Sequence, residues 1–303
     1  MITKKDALLF GAHMSITGGL EKCFERGESI GCTAIQIFTK SNRSWHAKEI
    51  TDNDASLFIE TSKQSSIKSV VVHASYLINL GSENKITNDK SVYALIEEVK
   101  RCQKLGLRYL ILHPGAKQGS TENECLNIIS KNINHVFSET SDQVMILLEN
   151  TAGMGSSVGY TFEQLAQIID GVKNKKRIGI CFDTCHAFAA GYDFSAESGY
   201  KKMWEEFDAI LGINNLKAMH INDSKKECGS KVDRHEHIEK GKIGKEAFKL
   251  LFNDEKFLNI PKILETPIEI MEDFIPDMKR IIDLIEPKNQ KMVLNTNLEQ
   301  YLK

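Results

Sequence analysis

The chain has 303 residues, of which 41% are hydrophobic and 26% are charged, a composition typical of a globular protein with enough length for one large domain. No apolar run approaches the ~20 residues of a membrane-spanning helix, and the N-terminal "MITKKDALLFGAH" lacks the pattern of a secretory leader, so we expect an intracellular, cytoplasmic protein with no membrane partner. The formal net charge of −2 excludes a bulk basic field, so any binding of nucleic acid must depend on local positive charge.

Short runs of β-branched and aliphatic residues alternate with longer amphipathic segments along the chain. Helical spacing is clearest in "NDKSVYALIEEVKRCQKLG" and "TFEQLAQIIDGV", where apolar residues recur every three or four positions. The candidate strands are "LLFGAH", "TAIQIF", "SVVVH", "RYLILH", "VMILLE", "RIGICFD", "LKAMHIN" and "PKILE". Eight strands, nearly all followed by a helical segment, predict an α/β fold, a single-domain (β/α)8 TIM barrel over residues 1–286, with residues 287–303 as an appended tail. A doubly wound open sheet is the alternative, but no GxGxxG motif follows the first strand.

The ends of the predicted strands carry the strongest functional signal in the sequence. In a (β/α)8 barrel these ends converge on the C-terminal face, where the active site is built. The residues at or near the eight ends are His13, Phe38, His73, His113, Glu149, Asp183, His220 and Glu265. Seven of the eight are histidines or carboxylates, which are ligands of zinc, manganese, iron or cobalt, and their number indicates more than one ion.

Two motifs add candidate ligands beyond the strand ends. "FDTCH" places His186 three residues after Asp183, so the two side chains can diverge toward neighbouring ions. "VDRHEH" places Asp233 and His235 at alternate positions, where an extended backbone points both the same way, and His186 could complete their site. His237 is not expected to be a ligand, because the local turn carries it away.

Seven cysteines are scattered along the chain, and none of them forms a CxxC pair. This number and spacing indicate neither a disulfide framework nor a cysteine zinc site. We expect most of them to be small buried side chains in a reducing compartment.

Long, specific motifs extend from about His13 to Glu265, in the order "GAHMSITGGL", "HASYLINLG", "HPG", "ENTAGMGSSVG", "CFDTCHAFAAGYD", "HINDSK", "GSKVDRHEHI", "GKIG" and "ILET". In content and order they resemble endonuclease IV, the zinc-dependent apurinic/apyrimidinic endonuclease family. The resemblance implies a DNA-repair enzyme that cuts duplex DNA 5′ of abasic sites and leaves 3′-hydroxyl and 5′-deoxyribose phosphate ends. It also implies an additional 3′-end-cleaning activity.

The resemblance further implies three zinc ions and assigns their ligands. The three sets are His73, His113 and Glu149; Glu149, Asp183, His220 and Glu265; and His186, Asp233 and His235. Glu149 is thereby expected to bridge two ions, and Glu149 and Glu265 are expected to be catalytic by orienting the attacking water. Manganese or iron remains an alternative occupant of the same ligands.

DNA contacts are implied for two loops. "TKSNRSWHA" resembles the loop that enters the minor groove in this family, which makes Arg43 the residue inserted at the lesion. Tyr76 in "HASYLIN" resembles the second inserted residue. We expect the protein to be a monomer whose partner is duplex DNA containing abasic sites.

Two departures from the family pattern affect this assignment. Ala74 stands where relatives often have an aspartate beside the ligand histidine, so a hydrogen bond to that ligand could be missing. Glu239 and Lys240 stand where a glycine-rich turn is common, which leaves the loop after His235 in question.

The main alternative function is a metal-dependent isomerase of sugars or sugar phosphates on the same kind of barrel. Such an enzyme needs one or two ions and would leave Asp233 and His235 unused. A non-catalytic protein that binds DNA lesions is a second alternative. It predicts that some ligands have been lost, yet every expected ligand position is filled.

Overall fold

The computed structural model describes residues 7–294 and 296–302, so residues 1–6 of the predicted N-terminal segment and residues 295 and 303 of the predicted tail lie outside the described residues. Parallel strands close into an eight-stranded barrel, which confirms the predicted single-domain (β/α)8 fold. The strands are β1 (Phe10–His13), β2 (Ala34–Ile37), β3 (Ser69–His73), β4 (Tyr109–Leu112), β5 (Met145–Glu149), β6 (Ile178–Asp183), β7 (Leu216–Ile221) and β8 (Lys262–Leu264). Each strand pairs with its neighbours in chain order, and β8 closes the barrel by pairing with β1.

Helices surround the barrel in the described part of the chain. They are α1 (Lys22–Ser29), α2 (Asp52–Gln64), α3 (Lys85–Lys104), α4 (Glu122–Ser138), α5 (Phe162–Gly171), α6 (Thr184–Ala190), α7 (Glu197–Leu211), α8 (Lys245–Asn253) and α9 (Phe274–Asp283). One helix follows each strand except β6, which is followed by both α6 and α7. None of the described helices combines the length and apolar content that crossing a membrane requires.

Local sequence explains where several helices begin. α2 and α4 each start with a capping box, in which a threonine hydroxyl accepts from a backbone N–H three residues later and an acidic side chain accepts in return. Thr51 pairs in this way with Asp54, and Thr121 with Glu124. These caps satisfy backbone donors that would otherwise lack partners at the helix start.

The core has two layers, as expected for strands that are buried on both faces. A small inner cluster fills the barrel, and a larger outer layer packs the strands against the helices. On β4, for example, Ile111 belongs to the inner cluster whereas Leu110 and Leu112 belong to the outer layer. This alternation explains why the strands were visible in the sequence as nearly continuous apolar runs.

The described residues of the predicted tail pack across the N-terminal end of the barrel. Met292 and Leu298 are buried in the outer layer of the core. The Leu8 N–H donates to the Met292 carbonyl at 2.9 Å, and the Tyr301 hydroxyl donates to the Ile30 carbonyl at 2.7 Å. This segment therefore lies at the opposite end from the strand-end residues, and the predicted boundary before it stays a prediction.

Candidate metal centre

All nine predicted metal ligands lie together at the C-terminal end of the barrel. Within each compact group of them, one potential ligand atom per residue lies within 4.8 Å of the others. Some of these side chains follow the strands directly, because β4 ends at Leu112 and β8 at Leu264, one residue before His113 and Glu265. The parallel barrel therefore brings together residues that are far apart in the sequence.

The first group contains His73, His113 and Glu149. The carboxylate of Glu149 is fully buried, and one of its oxygens, Oε2, lies 3.2 Å from Nε2 of His73. The same oxygen lies 3.2 Å from Nε2 of His113. The arrangement brings two imidazoles and one carboxylate oxygen to a common point.

The second group contains Glu149, Asp183, His220 and Glu265. Nδ1 of His220 lies 3.0 Å from Oε1 of Glu149 and 3.2 Å from Oε2 of Glu265. Its distance to Oδ2 of Asp183 is 3.9 Å. Since Glu149 uses a different oxygen toward each group, its carboxylate has the orientation that a bridging ligand needs.

The predicted third set, His186, Asp233 and His235, is also assembled. Oδ2 of Asp233 lies 3.2 Å from Nε2 of His186, and its Oδ1 lies 3.5 Å from Nε2 of His235. Two further donors adjoin this set, since Asp183 groups with the two histidines and Cys185 groups with Asp233 and His235. Asp183 also caps α6 by accepting from the His186 N–H at 2.7 Å.

The buried thiol of Cys185 was not among the predicted ligands. The cysteine spacing gave no metal motif, and only its position inside "FDTCH", between two predicted ligands, could have indicated it. Its sulfur lies 3.6 Å from the Arg234 carbonyl oxygen, and burial raises the pKa of the thiol to about 12.

Backbone carbonyls orient three of the histidines. A carbonyl oxygen only accepts hydrogen bonds, so each Nδ1 must carry a proton, and in the neutral ring Nε2 is the nitrogen whose lone pair a metal ion would take. The Nδ1 donors and their acceptors are His73 with Ala74 (2.7 Å), His186 with Asn150 (3.0 Å) and His235 with Glu265 (3.0 Å). The main chain of Ala74 thus supplies a hydrogen bond to His73 although its side chain cannot.

Gln36, on β2, orients the second group and was not predicted. Its fully buried amide nitrogen lies 2.6 Å from Oε1 of Glu265, and its amide oxygen lies 2.7 Å from Nε2 of His220. Because a carboxylate oxygen accepts hydrogen bonds, the amide nitrogen of Gln36 must be the atom that faces Glu265. The amide oxygen therefore accepts from Nε2 of His220. That tautomer leaves Nδ1 of His220 unprotonated toward Glu149 and Glu265. The amide nitrogen also lies 3.0 Å from Nδ1 of His13, whose pKa burial lowers to about 4.

One buried atom of the cluster lacks a hydrogen bond. Nε2 of His235 has no hydrogen-bond partner, although the carboxylates of Asp233 and Asp183 lie 3.5 and 3.9 Å away. Burying a polar atom without a partner costs free energy. A cation between this nitrogen and the two carboxylates would satisfy all three, so the residues fit a metal ion.

The electrostatics of the cluster also favour bound cations. Four of the nine predicted ligands are carboxylates, so with neutral histidines the cluster is strongly negative. Burial alone would raise the pKa of Glu149, but His220 and His113 outweigh burial and hold that pKa well below its usual range. Burial alone would lower the pKa of His186, but Asp183 and Asp233 raise it well above its usual range. The two fully buried carboxylates, Glu149 and Asp183, in particular need either protonated partners or metal ions.

His237, which was not expected to be a ligand, is directed away from the cluster. Its Nδ1 lies 2.7 Å from Oδ2 of Asp277, a fully buried carboxylate on α9. The same oxygen accepts from the Thr266 hydroxyl at 2.8 Å. His237 therefore connects the loop of His235 to the segment that follows Glu265.

The two predicted DNA-contact residues lie on loops at the same end of the barrel. Arg43 is exposed in the loop between β2 and α2, and the Tyr76 side chain is 54% exposed after β3. The Tyr76 ring centroid lies 5.0 Å from that of His73 and 5.6 Å from that of His113. Tyr76 is therefore both accessible to a ligand and adjacent to the first group.

Comparison with known proteins identifies the family. A family model described as a xylose isomerase-like TIM barrel matches residues 24–295. A "Probable endonuclease 4" from Geobacter sulfurreducens is 45% identical over 258 residues, which cover 85% of this chain and 87% of the relative. The chain belongs to the endonuclease IV family. A second member, from Geotalea daltonii, is 47% identical over 85% of this chain and 90% of its own length. The crystal structure of endonuclease IV from Thermus thermophilus matches with a TM-score of 0.78 and 34% identity, covering 87% of this chain and 94% of that chain.

Membership in the endonuclease IV family confirms the predicted enzyme class and its place in DNA repair. Barrels of this architecture also occur among isomerases, as the family description indicates, but the relatives at 42–47% identity carry endonuclease names. They favour the nuclease over the sugar isomerase. The family and the clustered histidines and carboxylates together support metal binding.

Proposed function

We propose that this member of the endonuclease IV family hydrolyses the backbone of duplex DNA immediately 5′ of an abasic site. The products would be a 3′-hydroxyl end and a 5′-deoxyribose phosphate end. The observation that carries the proposal is the orientation of Glu149, whose two oxygens face two separate groups of candidate ligands at the mouth of an endonuclease-family barrel. Such a site suits a reaction in which more than one ion acts on a single phosphate.

Zinc is the proposed occupant, with three ions in the sets assigned from the family motifs. His73, His113 and Glu149 would hold the first ion, and Glu149, Asp183, His220 and Glu265 the second. His186, Asp233 and His235 would hold the third, beside the thiol of Cys185. Bound zinc would lower the pKa of the attacking water and supply positive charge to the phosphate oxygens. Oriented imidazole nitrogens and buried carboxylates fit zinc, and manganese or iron would accept the same donors.

Glu149 and Glu265 are the proposed catalytic carboxylates. The Glu265 side chain is 13% exposed whereas that of Glu149 is fully buried, so Glu265 is the one that solvent reaches. Glu265 would accept a hydrogen bond from the attacking water and hold its oxygen toward phosphorus. That oxygen forms the new bond to phosphorus while the bond from phosphorus to the 3′-oxygen breaks. The 3′-oxygen leaves with the electron pair and takes up a proton.

Recognition of the lesion is proposed to depend on shape. An abasic nucleotide lacks base stacking, so turning it out of the helix costs less free energy than turning out an intact nucleotide. Arg43 and Tyr76, both exposed beside the site, would insert into the duplex and stabilise the distorted DNA. Three divalent ions would also make the formal net charge of −2 positive and place that charge at the mouth of the barrel.

Further properties follow from the same site. Removal of blocking groups from DNA 3′ ends needs hydrolysis at a phosphate beside a 3′-oxygen, so the site would carry out this reaction as well. We propose that the protein acts as a monomer, because one chain supplies every predicted ligand and the site needs no second copy. We propose the cytoplasm as its location, in line with the sequence-based expectation.

The decisive experiment is incision of a duplex that carries one tetrahydrofuran analogue of an abasic site. This analogue cannot undergo β-elimination, so only hydrolysis can cut it. Protein as purified, with its metal content measured, should cut once on the 5′ side and leave an end that a DNA polymerase extends. An intact duplex of the same sequence and the Glu149→Gln variant serve as controls that should stay uncut. Absence of incision by folded, metal-loaded protein would contradict the proposal, and isomerisation of sugar phosphates would then be assayed.

A further inference from the structure

A buried carboxylate outside the metal centre contacts the start of the loop that carries Arg43, one of the two residues proposed to bind DNA. Glu98, on α3, is 1% exposed, and its Oε2 accepts a hydrogen bond of 2.8 Å from the Thr39 hydroxyl. Its Oε1 lies 3.6 Å from Nζ of Lys40, which is also buried. Glu98 therefore holds Thr39 and Lys40, the two residues at the start of the loop that carries Arg43.

Arg101, one helical turn after Glu98, holds both ends of the Arg43 loop. Its Nε donates to the Thr39 hydroxyl at 3.0 Å, and its Nη2 donates to the Thr39 carbonyl. Its Nη1 donates to the Lys48 carbonyl at 2.8 Å. Since Thr39 precedes Arg43 and Lys48 follows it, one planar guanidinium fixes the width of the loop.

The backbone on either side of Arg43 is held as well. The Asn42 carbonyl accepts from the Ser75 hydroxyl at 2.8 Å. The Ser44 carbonyl accepts from Nζ of Lys40 at 2.9 Å. The first contact joins the loop of Arg43 to the loop of Tyr76, because Ser75 is the neighbour of Tyr76. The second joins the backbone after Arg43 to Lys40, which pairs with Glu98.

We infer that Glu98 and Arg101 are positioning residues, which hold Arg43 and Tyr76 in the shape that lesion recognition needs. The inference rests on the proposed DNA contacts of those two residues. Two exposed loops would otherwise lose conformational entropy on binding DNA, and a loop fixed in advance avoids that cost. Neither Glu98 nor Arg101 belongs to a metal-binding group of the described residues. Their effect on incision would therefore pass through the loops.

The polar nature of the network supports a role in shape more than in stability. A buried ion pair such as that of Lys40 with Glu98 loses about as much free energy by desolvation as it gains by attraction. Apolar side chains of similar size would serve folding equally well. They would not specify the directions of the Thr39 hydroxyl, the Thr39 carbonyl and the Lys48 carbonyl.

The test is a double-mutant cycle on the metal-loaded protein. Dissociation constants for the tetrahydrofuran duplex and KM and kcat for its incision would be measured for four proteins: wild type, Arg101→Met, Arg43→Ala and the double variant. Arg101→Met should weaken binding and raise KM about tenfold, with kcat and metal content unchanged. In the Arg43→Ala background the same substitution should change binding less than about twofold, because the residue it positions is gone.

Two additional variants separate positioning from folding. Thr39→Val keeps the size of the side chain but removes the hydroxyl shared by Glu98 and Arg101, and it should reproduce the effect of Arg101→Met. Lys104→Met is the matched control, because it removes a positive charge from the same helix, where Lys104 pairs with the exposed Asp52 at 2.8 Å. It should leave binding unchanged.

Several results would overturn the inference. If Arg101→Met weakened DNA binding equally in the wild type and in Arg43→Ala, the network would not act through Arg43. Unchanged binding for both Arg101→Met and Thr39→Val would lead to the same conclusion. Full lesion binding by Arg43→Ala would overturn the Arg43 assignment together with the inference. Incision by wild-type protein in the same assay would show that the proposed nuclease function survives any of these results.

Discussion

The side-chain amide of Gln36 donates a hydrogen bond of 2.6 Å to Glu265, although the two residues are 229 positions apart in the chain. Through its oxygen the same amide accepts from His220 at 2.7 Å. One uncharged side chain on β2 thus sets the rotamer of a predicted catalytic carboxylate and the tautomer of a predicted ligand. Partners of this kind hold a ligand in position, and their loss typically lowers metal affinity about 10- to 100-fold.

Replacement of Gln36 by leucine should weaken metal binding. Glu265 and His220 would lose their common partner, so we expect the affinity for the second ion to fall about 10- to 100-fold. Metal per chain, measured after dialysis against a buffer of fixed free zinc, tests this directly. Gln164→Leu is the matched control, because Gln164 is also buried but its side-chain oxygen accepts from the backbone N–H groups of Gly159 and Tyr160 and contacts no predicted ligand among the described residues. Full metal content in Gln36→Leu would contradict the assigned role.

Removal of metal should lower the stability of the whole barrel. The cluster brings four carboxylates together, and without cations their repulsion is relieved only by protonated histidines. Each ion that binds only the folded state contributes about 3 kcal/mol when free metal exceeds its Kd about 100-fold. Thermal unfolding with a chelator, compared with the same chelator saturated with zinc, should show a lower Tm in the first sample. Equal Tm values would mean that the cluster does not hold metal under those conditions.

Glycine at position 239 should stabilise the protein. Glu239 has a φ of 65°, a left-handed conformation that costs a residue with a Cβ about 1–2 kcal/mol. Replacement by glycine removes this cost. Glycine also increases the conformational entropy of the unfolded chain, which offsets part of the benefit, so the free energy of unfolding should rise by about 0.5–1 kcal/mol. Denaturant unfolding of Glu239→Gly measures it. Lys240→Gly, at a neighbouring position without a positive φ, should destabilise instead, and a gain there would refute the explanation.

Lys262 should make stability depend on pH. Burial lowers the pKa of its ammonium to about 7 from an ordinary value of 10.5, partly opposed by Asp254. Between these two pH values the unfolded chain binds the proton that the folded chain has released. The free energy of unfolding should therefore gain a contribution that increases from about pH 7 to about pH 10.

The Lys262→Met variant provides the comparison for this pH dependence. The free energy of unfolding of both proteins would be measured with denaturant at several pH values. Plotted against pH, the two free energies should diverge between about pH 7 and about pH 10, because the variant lacks the titrating amine. Its loss of the hydrogen bond to the Ile260 carbonyl, 3.1 Å from Nζ in the wild type, shifts stability at every pH but adds no slope. Parallel curves would show that the buried amine does not titrate in this range.

The barrel could be predicted from the sequence because each strand is buried on both faces and is therefore a short apolar run. That histidines and carboxylates would meet at one end of the barrel could be predicted from those that end such runs, as His73, Glu149 and Asp183 do. Gln36 could not, because it lies inside β2 and its importance depends on Glu265, which only closure of the barrel brings close. Glu98 could not either. Glu97 and Glu98 are neighbours with the same charge on an amphipathic helix. Only the packing of the folded chain shows that Glu98 is buried and Glu97 is half-exposed.

Closure of the barrel between β8 and β1 also has a consequence for incomplete chains. Glu265 follows the last strand, and Gln36 reaches it across β1 from near the start of the chain. A polypeptide still being synthesised, or one cut before β8, holds eight of the nine predicted ligands but neither that carboxylate nor the strand pair that orients it. On the proposed function, such a fragment would lack one of the two catalytic carboxylates. We therefore expect incision of DNA only after the last strand has been made and has closed the barrel.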